Sequence, residues 1–148
     1  MNNIRPHIAQ LAPLMPQLGF ALRRRAGDVP ELLTTVGGHR ERHIAMLISL
    51  GIAGPAPVSD LAARLRMTTA HASLVAGDLA KAGLVEREHD SSDRRRVIVS
   101  LSEAAKGAVA QMRERNAAPL VKFLAGLNDD EAREFIRHLS DLVVYLNE

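Results

Sequence analysis

Residues 58–102 read VSDLAARLRMTTAHASLVAGDLAKAGLVEREHDSSDRRRVIVSLS, and their pattern decides the fold. Val58-Ser59-Asp60 opens a short helix with Ser59 expected as its N-cap and Leu61, Ala62 and Leu65 inward. Thr68 or Thr69 caps a second helix that runs to Ala82 and stops at Gly83, where a left-handed residue is expected. Val85-Glu86-Arg87 and Val97–Leu101 alternate like two strands, and the residues between them, His89–Asp93, are turn formers. Two short helices followed by a hairpin predict a helix-turn-helix with a wing. Ala62 is small enough for the helices to cross, and Leu61, Leu65, Leu74, Val75 and Leu79 are expected as apolar anchors.

This order carries DNA-binding chemistry. The second helix begins with Thr68, Thr69, His71 and Ser73, short polar groups beside the free N–H groups and positive dipole of a helix start. They are the expected recognition-helix contacts. The hairpin tip carries Asp93, Arg94, Arg95 and Arg96, the expected wing contacts, because arginine suits the strong negative potential of a narrow minor groove. Asp93 is expected to fix a neighbouring arginine fork. Alone, three arginines are commonly a solvated surface; directly after a helix-turn-helix they point to DNA.

Working outward, Ile4, Ile8, Leu11, Met15, Leu18 and Leu22 form one helical stripe, which Pro13 and Pro16 should kink or restart. Residues 27–38 read as a connector with a short helical piece at Glu31–Thr35. A helix over His39–Leu50 follows, with Ile44, Leu47 and Ile48 inward and Gly51 and Gly54-Pro55 as its stop. Ser102-Glu103 caps a long helix, which Pro119 should kink or end. Asn128 followed by Glu131 resembles a capping box and opens a last helix. Its stripe is Ala132, Phe135, Ile136, Leu139, Leu142, Val143 and Leu146.

The fold class expected is therefore mainly α with a small β-hairpin wing. Residues 1–36 would form an N-terminal dimerisation helix and connector, 37–102 the winged helix-turn-helix, and 103–148 C-terminal dimerisation helices. Ile8, Leu11, Leu18, Leu139, Leu142, Val143 and Leu146 are the expected dimer contacts.

Composition narrows the alternatives. The chain has 148 residues, 47% hydrophobic and 24% charged, which reads as a soluble globular protein. No apolar run reaches the ~18 residues of a membrane helix, and prolines interrupt the apolar residues where a leader would lie. The absence of cysteine excludes disulfides and thiolate chemistry and fits a cytoplasmic protein. Net charge is only +2, but residues 1–25 carry +4 and residues 128–148 carry −4, so the two ends either pair or form separate solvated faces. An aromatic content of 3% leaves too few stacking platforms for a single-strand or RNA module. No nucleophile triad, phosphate loop or carboxylate pair stands out, so the chain is not read as an enzyme.

Within this block, Val58–Ala62, Leu79–Arg87, Asp93-Arg94-Arg95 and Val99–Ser102 together resemble the MarR family of bacterial transcriptional regulators. The resemblance implies a homodimer with interlocked terminal helices on double-stranded DNA carrying a pseudo-palindromic operator. It implies Arg95 as the minor-groove residue and a repressor relieved by a small ligand held between the dimerisation and DNA-binding regions. Leu74 and Asp78 stand where many relatives are basic. Arg23–Arg25 or Arg40 are the residues that would meet a ligand carboxylate. No cofactor is required. His39 and His43, four apart on one helix face, are a possible ligand or zinc pair, though more ligands would be needed, from His7, His138 or a carboxylate. A zinc-responsive regulator, or a winged module that binds protein rather than bases, are the alternative readings.

Overall fold

The computed structural model describes residues 3–27 and 40–148. Seven helices and three strands follow one another among these residues: α1 Arg5–Leu11, α2 Leu14–Gly27, α3 Arg40–Ala53, β1 Ala56–Pro57, α4 Val58–Arg64, α5 Thr69–Lys81, β2 Val85–His89, β3 Val97–Leu101, α6 Glu103–Leu124 and α7 Asp129–Tyr145. Two compact units divide the chain, residues 1–112 and 113–148, with the boundary inside α6. The expected helical piece at Glu31–Thr35 and the residue His39 lie outside the described residues.

In the first unit the stripe from Ile4 to Leu22 is broken at Pro13 into α1 and α2. Pro6 and Pro16 sit in the first turns of these helices, where no intrahelical N–H is required. Helix α3 passes through Gly51 and ends before Gly54-Pro55. Its inward face is His43, Met46, Leu47 and Leu50, with Ile44 and Ile48 half-buried beside it.

The core joins α3 to Leu61 and Ala62 of α4, Ala72, Val75, Ala76 and Leu79 of α5, Leu84, Val85 and Val99 of the sheet, and Ala105, Val109 and Met112 of α6. Small residues at Ala62, Ala72 and Ala76, all at most 3% exposed, let the helices approach closely. Leu65 is only half-buried at the rim.

Both helices of the central pair end in the same way. After α4, Met67 N–H donates to Ala62 O at 3.0 Å and Arg66 N–H to Ala63 O at 3.3 Å, with Arg66 at φ 49°. After α5, Leu84 N–H donates to Leu79 O at 2.9 Å and Gly83 N–H to Ala80 O at 3.0 Å, with Gly83 at φ 74°. These are two Schellman ends, the second using glycine at the left-handed position. Thr68 is the N-cap of α5, its Oγ1 accepting from His71 N–H at 3.1 Å. Ser59 does not cap α4: Pro57 is the N-cap and makes no side-chain bond, because strand β1 enters the helix directly.

That strand was not expected. Ala56 and Pro57 pair antiparallel with Val99 and Ile98, giving a three-stranded sheet of order β1-β3-β2. Two residues, one of them a proline, carry no alternation to read, and proline is tolerated because β1 is an edge. The expected hairpin is present, Val85 opposite Leu101 and His89 opposite Val97. Ser102 locks it to the next helix: its Oγ donates to Gly83 O at 2.7 Å and accepts from Ala105 N–H at 3.3 Å.

Pro119 does not end α6, which continues to Leu124 with the ring inside it. In the second unit Asn128 forms the capping box with Glu131, each side chain accepting from the other's backbone N–H. Phe123 and Phe135 meet at 4.9 Å between centroids, tilted by 54°. Helix α7 has no buried residue, so its apolar stripe lies open on the single chain. Its acids pair with its own arginines, Arg133 with Asp130 and Arg137 with Glu134 and Asp141, which are weak surface pairs.

Candidate nucleic-acid interface

Helix α5 turns Ala72, Val75, Ala76 and Leu79 to the core and exposes the opposite side. Thr69, at its first turn, is exposed, while His71 and Ser73 are half-buried because each is engaged by a neighbouring element. Leu74 is 69% exposed and is not an anchor. One residue before Val75, it falls on the side of the helix away from the core.

Two arginines from outside the helix flank it. From α3, Arg42 Nη1 lies 3.2 Å from His71 Nδ1. A guanidinium only donates, so in this contact His71 accepts at Nδ1 and the positive charge comes from Arg42. From β2, Arg87 Nη2 donates to Ser73 Oγ at 3.4 Å. The same guanidinium lies beside Gly77, where a Cβ would meet Arg87 Nη1 at an ordinary contact distance of 3.5 Å. Neither arginine was among the expected site residues. Their sequence separations from the helix, 29 and 14 residues, give no local signal.

Asp78 is drawn toward α3, where His43 Nε2 donates to its Oδ2 at 3.2 Å. His43 is 3% exposed. Among the described residues no group of three or more His, Asp or Glu is arranged to hold a metal. His39 lies outside them. Arg23 lies over the ring of Phe20 at 5.6 Å.

The wing tip is built around two carboxylates. Asp90 Oδ1 accepts from Ser92 Oγ at 2.6 Å, Ser92 N–H at 2.8 Å and Asp93 N–H at 3.4 Å. Asp93 Oδ1 accepts from Arg95 N–H at 3.0 Å. It thus shapes the main chain instead of fixing an arginine fork, because a tight turn brings the amide within reach first. His89 Nδ1 donates to Arg94 O at 2.8 Å, and Arg96 is tied by its N–H to Asp93 O and by its carbonyl to Asp90 N–H. The backbones of Arg94, Arg95 and Arg96 are therefore held while all three residues are exposed. Among the described residues, none of their guanidinium groups stands within ion-pair distance of a carboxylate.

The bonds from Ser92 hold the Asp90 carboxyl below its ordinary value of 3.8, helped by Asp93 N–H and by the charge of Arg96. A depressed carboxylate pKa contributes order that is complete above the unfolded value and lost as pH falls through the folded one. The tip is expected to stay ordered at neutral pH and loosen below about pH 3.8. Asp90→Ala should reproduce that loosening at pH 7, seen as faster amide exchange at Ser92 and Asp93 with the core amides unchanged.

The model of the MarR family matches residues 41–97, which contain α3 from its second residue, the helix pair and the wing up to the first residue of β3. The uncharacterized HTH-type transcriptional regulator YfiV of Bacillus subtilis is 30% identical over 116 residues, 78% of this chain and 71% of its own length. A second uncharacterized HTH-type regulator, from Mycobacterium leprae, is 32% identical over 103 residues, covering 70% and 71%. The chain belongs to the MarR family.

As a MarR family member it is a DNA-binding transcriptional regulator and not an enzyme. The fold agrees: the FabT structure from Streptococcus pneumoniae, solved in complex with DNA, superposes with a TM-score of 0.66 at 16% identity, covering 97% of each chain. The MarR family transcription regulator SP03579 gives 0.65 at 20% identity, covering 99% and 96%. Among the described residues no helix is long and apolar enough to cross a membrane.

Proposed function

We propose that this regulator works as a homodimer on a pseudo-palindromic operator, with α5 in the major groove and the wing tip in the adjacent minor groove. The observation that carries the docking is the pairing of an open, Thr68-capped helix start with a main-chain-fixed arginine tip. Thr68, Thr69, His71 and Ser73 then meet phosphates and base edges, and Arg94, Arg95 and Arg96 meet the backbone, Arg95 entering the minor groove. FabT, of the same fold, was crystallised with DNA.

Dimerisation is supported by apolar surface that a lone chain leaves in water. Ile8, Leu11 and Leu18 are 54%, 47% and 49% exposed, and Leu139, Val143 and Leu146 are 43%, 45% and 65% exposed, with Leu142 half-buried between them. Such stripes usually mark an interface.

The regulator is further proposed to be a repressor released by a small ligand. Two proteins of this fold were solved with ligands, the PcaV regulator of Streptomyces coelicolor with its natural ligand and a MepR-like protein with pseudoligands. The zinc alternative has less support, since His43 already serves Asp78.

Selection of bound duplexes from a random pool, followed by competition against nonspecific DNA at fixed salt, tests the docking. An inverted repeat with half-sites about one helical turn apart is expected. Equal affinity for all sequences would instead favour the protein-interaction reading. Arg95→Ala should weaken binding about tenfold across sequences and reduce the salt slope by about one.

A further inference from the structure

We infer that Leu74 is a specificity-determining residue that reads the 5-methyl group of thymine in the major groove. The inference rests on the docking of α5 proposed above and goes beyond it by naming the base feature read.

Ala70, Leu74, Gly77 and Lys81 recur at i, i+4, i+7 and i+11, one strip along α5 opposite the buried Ala72, Val75, Ala76 and Leu79. Leu74 is the one large side chain near the middle of that strip, and at 69% exposed it lies mostly in water. Its two flanks are cationic. Arg42 stands at His71 on one side, and Arg87 stands at Ser73 and beside Gly77 on the other. Asp78, the one acid of the helix, is turned toward His43 of α3.

An apolar side chain between two guanidinium groups on a DNA-binding helix matches duplex DNA. The flanking cations suit phosphates, and the leucine meets the floor of the groove between them. Leucine has no donor or acceptor, so the polar edges of the other three bases give it chiefly groups to desolvate. Thymine alone presents a methyl group there. The polar reading of this helix start is therefore joined by an apolar one at its centre.

The test uses the full chain and duplexes selected from a random pool. A fixed thymine is expected in the part of each half-site that α5 covers. Replacing that thymine by deoxyuridine keeps base pairing and removes only the methyl. The wild type should lose about four-fold in affinity per methyl removed, the factor expected for one buried carbon. Leu74→Ala should bind the thymine and deoxyuridine duplexes equally, with an unchanged melting temperature because the side chain is outside the core. Leu74→Met should keep the discrimination. Equal losses for wild type and Leu74→Ala, or a selected site indifferent to the methyl, would overturn the inference while leaving the docking intact. Selection of no preferred sequence would overturn both.

Discussion

A chain carrying aspartate at both Leu139 and Val143 is expected to fold, run as a monomer and lose about 100- to 10,000-fold in operator affinity. The two positions are four apart on α7, one above the other on its apolar stripe. They are 43% and 45% exposed on the single chain, so the substitutions remove little packing within it. Across an interface between copies, each would bury an unpaired carboxylate at a cost of several kcal/mol. Operator affinity falls because the second half-site no longer binds at the effective concentration that the first creates, an advantage of about 10²–10⁴. Light scattering reports the mass, circular dichroism the retained helix, and gel shift the affinity. A variant that stays dimeric, or a monomer that binds the full operator as tightly as the parent, would sink the dimer reading.

Leu79→Ala acts at the opposite end of the design, in the core that holds α5. Leu79 is fully buried in the same core cluster as Leu84, whose N–H donates to the Leu79 carbonyl across the Schellman turn. Truncation removes apolar contact and leaves a cavity among residues already at close-packed density, costing about 3 kcal/mol. For a unit of this size the melting temperature should fall by roughly 10 °C. DNA affinity should fall only as the folded fraction falls, because Leu79 faces away from the groove-facing strip. Calorimetry and binding measured well below the melting temperature separate the two effects. A shift under about 2 °C would mean that the site collapses around the smaller side chain.

Much of the fold is legible locally. Thr68 before α5, Gly83 after it, Ser102 before α6 and the Asn128–Glu131 box all act within a few residues of themselves, and each sits where its chemistry requires. The failures have equally physical causes. Ser59 looks like a cap, but a strand residue leads straight into α4 and takes that place. Pro119 reads as a kink or an end of α6, and the helix runs on through it to Leu124. Leu74 looks like an anchor by composition, while its phase relative to Val75 and Leu79 turns it outward.

The candidate site divides along the same line. By itself the sequence determined that a helix pair with a polar start precedes an arginine-tipped hairpin, because capping, turn formation and apolar periodicity depend on neighbours along the chain. Only the tertiary structure decided what surrounds α5: Arg42 at His71, Arg87 at Ser73 and beside Gly77, and His43 drawing Asp78 aside. Those contacts join residues 10 to 35 positions apart, and packing of α3 and β2 against α5 brings them together. The poorly charged helix of residues 69–81 thus receives its cations from its neighbours.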